Sequence, residues 1–210
     1  MSTLTTLKAE LAGDLKRSDL TTDIAAAITA AIKFYQKEHL FFKEDEEKTF
    51  STVADQVYYA ESDDADIGLI AQLEAVKIRV ASNDYDLIRL DISTFETLND
   101  AQTSSGQPTN YVYYNQKIGL YIPPSTVYTV MLIGSFEVAA PATDGEANNV
   151  WMTDGFELIR AHALSKLARF KTREYDLANT MEREASLQLN DLWAKTSRLK
   201  ATGYIIPVSF

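Results

Sequence analysis

The sequence predicts an α+β protein in which helices from both chain ends form a bundle and an antiparallel β-sheet of meander or sandwich type is inserted between them. Three observations carry that prediction. Apolar residues recur at spacings of three and four over the first 40 residues, alternate at period two between about residues 73 and 138, and return to helical spacing from about residue 150. The corresponding divisions are residues 1–43 for the N-terminal helices, 44–147 for the β insertion, 148–200 for the C-terminal helices and 201–210 for an apolar tail.

Leu4, Leu7, Leu11 and Leu15 line one face of a first helix, expected from Thr3 to Arg17. Ser18 to Thr22 break the pattern, and Thr21 or Thr22 offers a cap for a second helix reaching about Leu40. Its stripe is Ile24, Ile28, Ala31, Ile32 and Tyr35. Ala25 to Ala31 permit close approach of a second helix. That neighbour is either the first helix, in an intramolecular hairpin, or another subunit, which makes Ile24, Ile28 and Tyr35 candidate interface residues.

An acidic run, Glu44 to Glu47, precedes the change to strand pattern at Phe50, Thr52, Val53 and Val57 to Tyr59. The acids Glu61, Asp63, Asp64 and Asp66 resemble a calcium loop only superficially. Gly68 and Glu74 do not fall at the offsets such a loop needs, so a solvated loop is expected. Val76, Ile78 and Val80 oppose Lys77 and Arg79, and Ile88, Leu90 and Ile92 oppose Arg89 and Asp91. Asn83 and Asp84 lie between the two runs, which predicts a hairpin.

A helical turn at Ser93 to Asn99 and a loop around Ser104 to Pro108 come before three further strands. These are Asn110 to Tyr114, Lys117 to Ile122 and Tyr128 to Val138, with a tight turn at Asn115 and Gln116. Ile118 to Phe136 carry no charge, yet Pro123 and Pro124 interrupt the run and the alternation is that of strands, so no membrane span is expected. Short consecutive strands predict a meander and not βαβ units. Asn148 or Asn149 then caps a helix carrying Met152, Phe156, Ile159, Ala163, Leu167 and Phe170. A last long helix, Glu174 to Leu199, carries Ala178, Met181, Ala185, Leu189 and Leu192. The tail segment Tyr204, Ile205, Ile206, Pro207, Val208 and Phe210 either packs on its own domain or docks on a partner.

Composition narrows the function. With 20 Lys+Arg, 30 Asp+Glu, two His and no Cys in 210 residues, the net charge is −10. Cysteine-ligated metal sites are excluded, and gripping nucleic acid through phosphate neutralisation is disfavoured. The opening MSTLTTLKAE lacks the basic lead and apolar run of an export signal. Residues 1–150 hold 11 basic and 23 acidic residues, net −12, against 9 and 7, net +2, in 151–210. Arg169 and Arg173 fall at the joint of the C-terminal helices, where they suit helix dipoles or an acidic neighbouring subunit. Neither His39 nor His162 belongs to a nucleophile or metal-binding motif, and no phosphate-binding Gly motif is present. No catalytic residue, metal or cofactor is expected.

Three segments together resemble a known family. AAIKFYQKEHLFFKEDEEKTFSTVADQVYYA, GQPTNYVYYNQKIGLYIPPSTVYTVMLIGSF and NNVWMTDGFELIRAHALSKLARF are similar to the head-to-tail connector, or adaptor, proteins of tailed bacteriophages, especially the short-tailed ones. The shared pattern is a helix ending in an aromatic pair and acids, a Tyr-Tyr strand, Gly-x-Pro-x-x-Tyr, Leu-Tyr-x-Pro-Pro and an Asn-x-Trp helix start. The acidic loop after Tyr59 and the tail from Ala201 depart from it.

The resemblance implies a virion structural protein assembled in the host cytoplasm. It forms a homo-oligomeric ring, commonly twelve-fold, that binds the portal and a downstream tail or nozzle protein. DNA passes through its channel without sequence-specific binding. In that setting the tail residues and Ile24, Ile28, Tyr35, Arg169 and Arg173 are contacts to the portal or a neighbouring subunit. A neck protein that degrades peptidoglycan and a stopper or tail-completion protein are the alternatives.

Overall fold

A computed structural model describes residues 3–146 and 148–200. In chain order the elements are α1 (Leu4–Asp14), α2 (Thr21–Tyr35), a 3-10 turn (Phe41–Lys43), β1 (Glu44–Ser51), β2 (Tyr58–Tyr59), α3 (Ala65–Gly68), β3 (Ile70–Val80), β4 (Asn83–Asp86), β5 (Ile88–Arg89), α4 (Ile92–Asp100), β6 (Asn110–Tyr114), β7 (Lys117–Tyr121), β8 (Thr129–Phe136), α5 (Val150–Thr153), α6 (Phe156–Leu167), a π turn (Ala168–Thr172) and α7 (Tyr175–Lys200). The fold is α+β. It divides into a helical unit, residues up to Lys43 with those from Val138 onward, and a β unit, Glu44–Glu137.

In the helical unit, Thr3 caps α1 by accepting the Thr6 N–H on its hydroxyl, and Leu7, Leu11 and Leu15 are buried as their spacing requires. The helix stops at Asp14 because Lys16 turns left-handed, φ 51°. The Lys16 and Arg17 amides then bond back to the carbonyls of Gly13 and Ala12 at 3.1 and 3.0 Å, the paired bonds of a Schellman motif.

Helix α2 begins at Thr21 with no side-chain cap and ends at Tyr35, five residues before Leu40. The carbonyls just past its end are taken by a buried lysine: Lys43 Nζ donates to the carbonyls of Gln36 and Glu38. The Gln36 amide, meanwhile, both donates to the Val138 carbonyl and accepts the Val138 N–H. Trp151, fully buried, adds an indole N–H to the same carbonyl at 2.9 Å. Val138 therefore belongs with the helices, nine residues before the boundary at 147 that the sequence pattern places.

The helix expected from Asn149 to Phe170 is two. Asn149 caps α5 through its side-chain oxygen to the Trp151 N–H, 3.1 Å, and the chain breaks at Asp154 and Gly155, where a Cβ on Gly155 would lie 3.0 Å from the Trp151 ring. After α6 the helix widens into the π turn and Arg173 reverses it at φ 61°. Helix α7 follows as the sequence predicts, with Ala178 and Ala185 buried and Met181, Leu189 and Leu192 packed on the core.

The β unit holds two four-stranded sheets, ordered β1-β8-β3-β4 and β2-β7-β6-β5. Phe50, Val76, Ile78, Val130 and Leu132 of the first share one core with Tyr59, Ile118 and Leu120 of the second, which is the sandwich arrangement. The β6–β7 hairpin makes the expected tight turn at Asn115 and Gln116, whose φ of 50° and 58° are both positive, as in a type I′ turn.

Three details differ from the sequence reading. The acidic run Glu44 to Glu47 lies inside β1, with a register shift between Asp45 and Lys48. The β3–β4 turn falls at Ala81, φ 54°, so Asn83 and Asp84 are strand residues and Asp84 pairs with Arg79 across the hairpin. Finally, the order is not a meander. Strand β8 returns between β1 and β3, while Ile88–Arg89 leave the first sheet and pair in parallel with β6, with α4 as the crossover. That is one short βαβ unit, made possible because Phe95 of α4 is fully buried and a Cβ on Gly119 would come within 2.8 Å of its ring.

Candidate functional site

Ile24, Ile28 and Tyr35 are each at most 3% exposed and lie in the core of their own helical unit. On that helix it is Phe34, 64% exposed, that faces outward. Arg169 is held by Glu182 at 2.6 Å and Asn179 at 3.0 Å, and Lys171 by Asp23 at 2.8 Å. Arg173 stands exposed at the left-handed corner. The π turn thus presents Arg173 beside exposed Phe170 and Tyr175. Residues Tyr204, Ile205, Ile206, Pro207, Val208 and Phe210 lie outside the described residues.

His162 sits in a cavity of about 260 Å3 lined by Phe34, Tyr35, Lys166, Glu182 and Leu189. Its Nδ1 is 3.0 Å from the Tyr35 hydroxyl, and Phe34 stacks obliquely on the ring, 4.9 Å between centroids. Burial, then the nearby Lys166 ammonium, lowers its pKa, with Glu182 opposing; burial first, then Glu38, pushes Tyr35 up to about 12. A neutral imidazole bonded to a neutral phenol holds α6 to α2. Neither side chain has the partner geometry of an activated nucleophile.

The acids after Tyr59 are committed to the fold. Asp63 accepts from the Gln56 amide at 2.9 Å and the Ala60 N–H at 2.8 Å, and these bonds, the Gln56 one first, hold its carboxyl below the usual range. Asp64 caps α3, and Asp66 pairs with Lys48 at 3.0 Å. Among the described residues no group of three or more His, Asp or Glu could hold a metal ion.

At one end of the β unit three loops meet. The Asp55 N–H donates to the Pro124 carbonyl at 2.8 Å, Gly106 N–H to Pro123 at 2.8 Å, Ser125 N–H to Gly106 at 2.9 Å and Thr52 N–H to Tyr128 at 2.8 Å. Tyr59 locks the first loop from beneath, its hydroxyl donating to either of the Val53 and Gln56 carbonyls while accepting the Val53 N–H. Ile122 adopts φ 64°. For a β-branched side chain that conformation costs on the order of 1–3 kcal/mol and persists only where its surroundings impose it. The Gly-x-Pro-x-x-Tyr and Leu-Tyr-x-Pro-Pro segments converge here, since Gly106 bridges Pro124.

Charge follows the units. Residues 44–137 contain sixteen acidic and five basic residues, net −11; the rest contain fourteen and fifteen, net +1. No helix among the described residues is long and apolar enough to cross a membrane. The helical unit thus uses His162 to join α2 to α6, and the acidic sandwich uses Asp63, Asp64 and Asp66 in bonds of its own.

The model of the SU10 adaptor proteins matches residues 2–205, and the chain belongs to that family, the phage adaptors. No protein of curated function matches it.

Proposed function

We propose that this chain is a structural virion protein that joins portal to tail as a homo-oligomeric ring, twelve-fold in the pattern of such connectors, and extends the DNA channel. The observation that carries the reading is the family match over 2–205, which takes in the helical and the β units alike. The segregation of charge supports the channel role. A wall to which the β unit contributes net −11 does not hold phosphates, because each Lys or Arg contact to a phosphate would add affinity and slow passage. Tyr204 to Phe210 form the segment that docks on the portal or a neighbouring subunit, and Phe34, Phe170 and Arg173 are among the exposed side chains of the helical unit that a neighbour can meet, with Tyr175, Leu187, Trp193 and Leu199.

The test is native mass spectrometry and negative-stain imaging of the full chain with its cognate portal. A ring on the portal is expected; a persistent monomer without a complex would overturn the reading. Removing Tyr204 to Phe210 should weaken that complex, and unchanged binding would remove the tail from the interface.

A further inference from the structure

Besides its core face, α7 offers a stripe that ends on an exposed tryptophan. Glu182, Ser186 and Leu189 line a cavity with Phe34 and His162, and Trp193 continues their line, since residues spaced by four, three and four share one helix face. Phe34 is 64% and Trp193 42% exposed. The chain beyond α2 runs beside this stripe toward the end of α7, because the Phe41 N–H donates to the Thr196 hydroxyl at 3.0 Å. A groove with apolar walls therefore leads from Trp193 back to Phe34. Its cavity of about 260 Å3 is smaller than the roughly 300–1,000 Å3 of small-molecule sites and suits side chains.

The chain's own tail lies within reach of that groove. Residues 201–210 follow α7 at Lys200, carry no charged side chain and place Tyr204, Ile205, Ile206, Pro207 and Val208 beyond Gly203, a residue at which a chain reverses without a Cβ penalty. From Lys200 back to Trp193 and Leu189 is about 10 and 16 Å at 1.5 Å per residue. An extended strip, at about 3.3 Å per residue, covers those distances by Tyr204 and Ile206. A second cavity of the helical unit, about 350 Å3, fits the strip less well. Its Met181 and Leu177 lie about 28 and 35 Å from Lys200, and Asp14, Glu157, Arg160 and Glu184 put charge on its walls.

Charges flank the groove and leave its floor clear. Lys33, Lys37 and Glu38 stand on either side of Phe34 in sequence, and Lys166 and Glu182 stand on the cavity wall, with Glu182 already bonded by Arg169. Uncharged side chains can cover the floor while the lysine ammonium groups stay in water. So short a tether gives the tail a local concentration on the order of millimolar at its own groove, far above that of a second copy in dilute solution.

We propose that in the unassembled chain the tail folds back along this groove of its own helical unit, Tyr204 over Trp193 and Ile206 against Phe34 and Leu189, as a strap released when the segment docks in the assembly. The release rests on the adaptor reading, and the strap is tested without it. The chain has no Cys, so an introduced pair oxidises without competitors. Phe34→Cys with Ile206→Cys in the full, dilute chain should close an intramolecular disulfide at least tenfold faster than Leu187→Cys with Ile206→Cys. Leu187 is 53% exposed and sits at a similar height on α7, about 130° round from the stripe. Equal rates would overturn the proposal, and linked dimers that increase with concentration would overturn it in favour of tails exchanged between copies. Acrylamide quenching repeats the test without oxidation: Trp151 is fully buried, so the accessible signal is that of Trp193, and removing Tyr204 to Phe210 should increase its quenching. Unchanged quenching would count against the strap. The oxidised Phe34→Cys, Ile206→Cys chain should lose assembly on the portal and recover it on reduction; undiminished assembly would overturn the release and leave the strap standing, whereas a wild-type chain that never binds the portal would sink the adaptor reading itself.

Discussion

The Tyr35 hydroxyl lies 3.0 Å from Nδ1 of His162, joining α2 to α6 inside a cavity that Lys166 and Glu182 also face. Burial, with Lys166 second, lowers the His162 pKa below its ordinary value near 6.5. The unfolded chain therefore binds the proton more readily than the folded one, and the stability this imidazole contributes is complete above about pH 6.5 and is lost as pH falls through its folded pKa. Glu182 is engaged by Arg169, which limits its compensation. Denaturant midpoints of wild type and His162→Gln, compared between pH 7.5 and 5, should converge as pH falls. A constant difference would show that the imidazole stays in one protonation state.

Lys16 closes α1 from a left-handed conformation, φ 51°, with both bonds of its Schellman motif made by backbone. A side chain at that position costs about 1–2 kcal/mol relative to the right-handed region, which glycine avoids at the expense of some unfolded-state entropy. Lys16→Gly should stabilise the protein by about 0.5–1 kcal/mol, seen as a higher denaturant midpoint with unchanged slope. A lower midpoint would mean that the lysine side chain contributes more than the backbone strain removes.

The pattern of such positions explains what the sequence makes legible. Element type follows from periodicity, and α1, α7, the β6–β7 hairpin and the buried faces of β3 and β8 all lie where alternation or helical spacing puts them. The ends of elements depend on partners far along the chain. Just past the end of α2, Lys43 takes the Gln36 and Glu38 carbonyls and Val138 bonds the Gln36 side-chain amide, and beyond the turn at Ala81 Asp84 stands in register with Arg79. Strand order was hidden for the same reason, since Ile88 and Arg89 are too few to betray their move to the second sheet. The loop tip is assembled from segments about 50 and 20 residues apart. Pro123 and Pro124 mark a turn in the sequence, but nothing in the order of residues marks Ile122 as left-handed.

Two glycines give a contrast with opposite signs. A Cβ on Gly134 would lie 2.2 Å from the Gln72 carbonyl oxygen in the adjoining strand, where β3 and β8 shift register between Leu73 and Ala75. Gly134→Ala must push two central strands apart and should cost about 1–3 kcal/mol. A Cβ on Gly13, in the last turn of α1, meets nothing within 4 Å. Gly13→Ala should therefore stabilise by about 0.5 kcal/mol through helix propensity. Urea titrations of the two variants decide the matter, and similar effects at both sites would contradict the close approach at Gly134.

Association between copies should strengthen with salt. The β unit carries net −11 and the helical unit only +1, so little basic surface is left to attract a neighbour's acids, the more so as Arg169 and Lys171 are already paired within their own unit. The proposed ring would bring copies side by side and concentrate like charge, and raising ionic strength from about 0.05 to 0.5 M shortens the screening length from roughly 14 to 4 Å. Apolar contacts are not weakened by that change. Sedimentation of the chain on its portal across this range should therefore show a larger fraction assembled at high salt. If salt dissociates the ring, the subunits meet through opposite charges, and Arg173, exposed at the α6–α7 corner, becomes the first residue to replace.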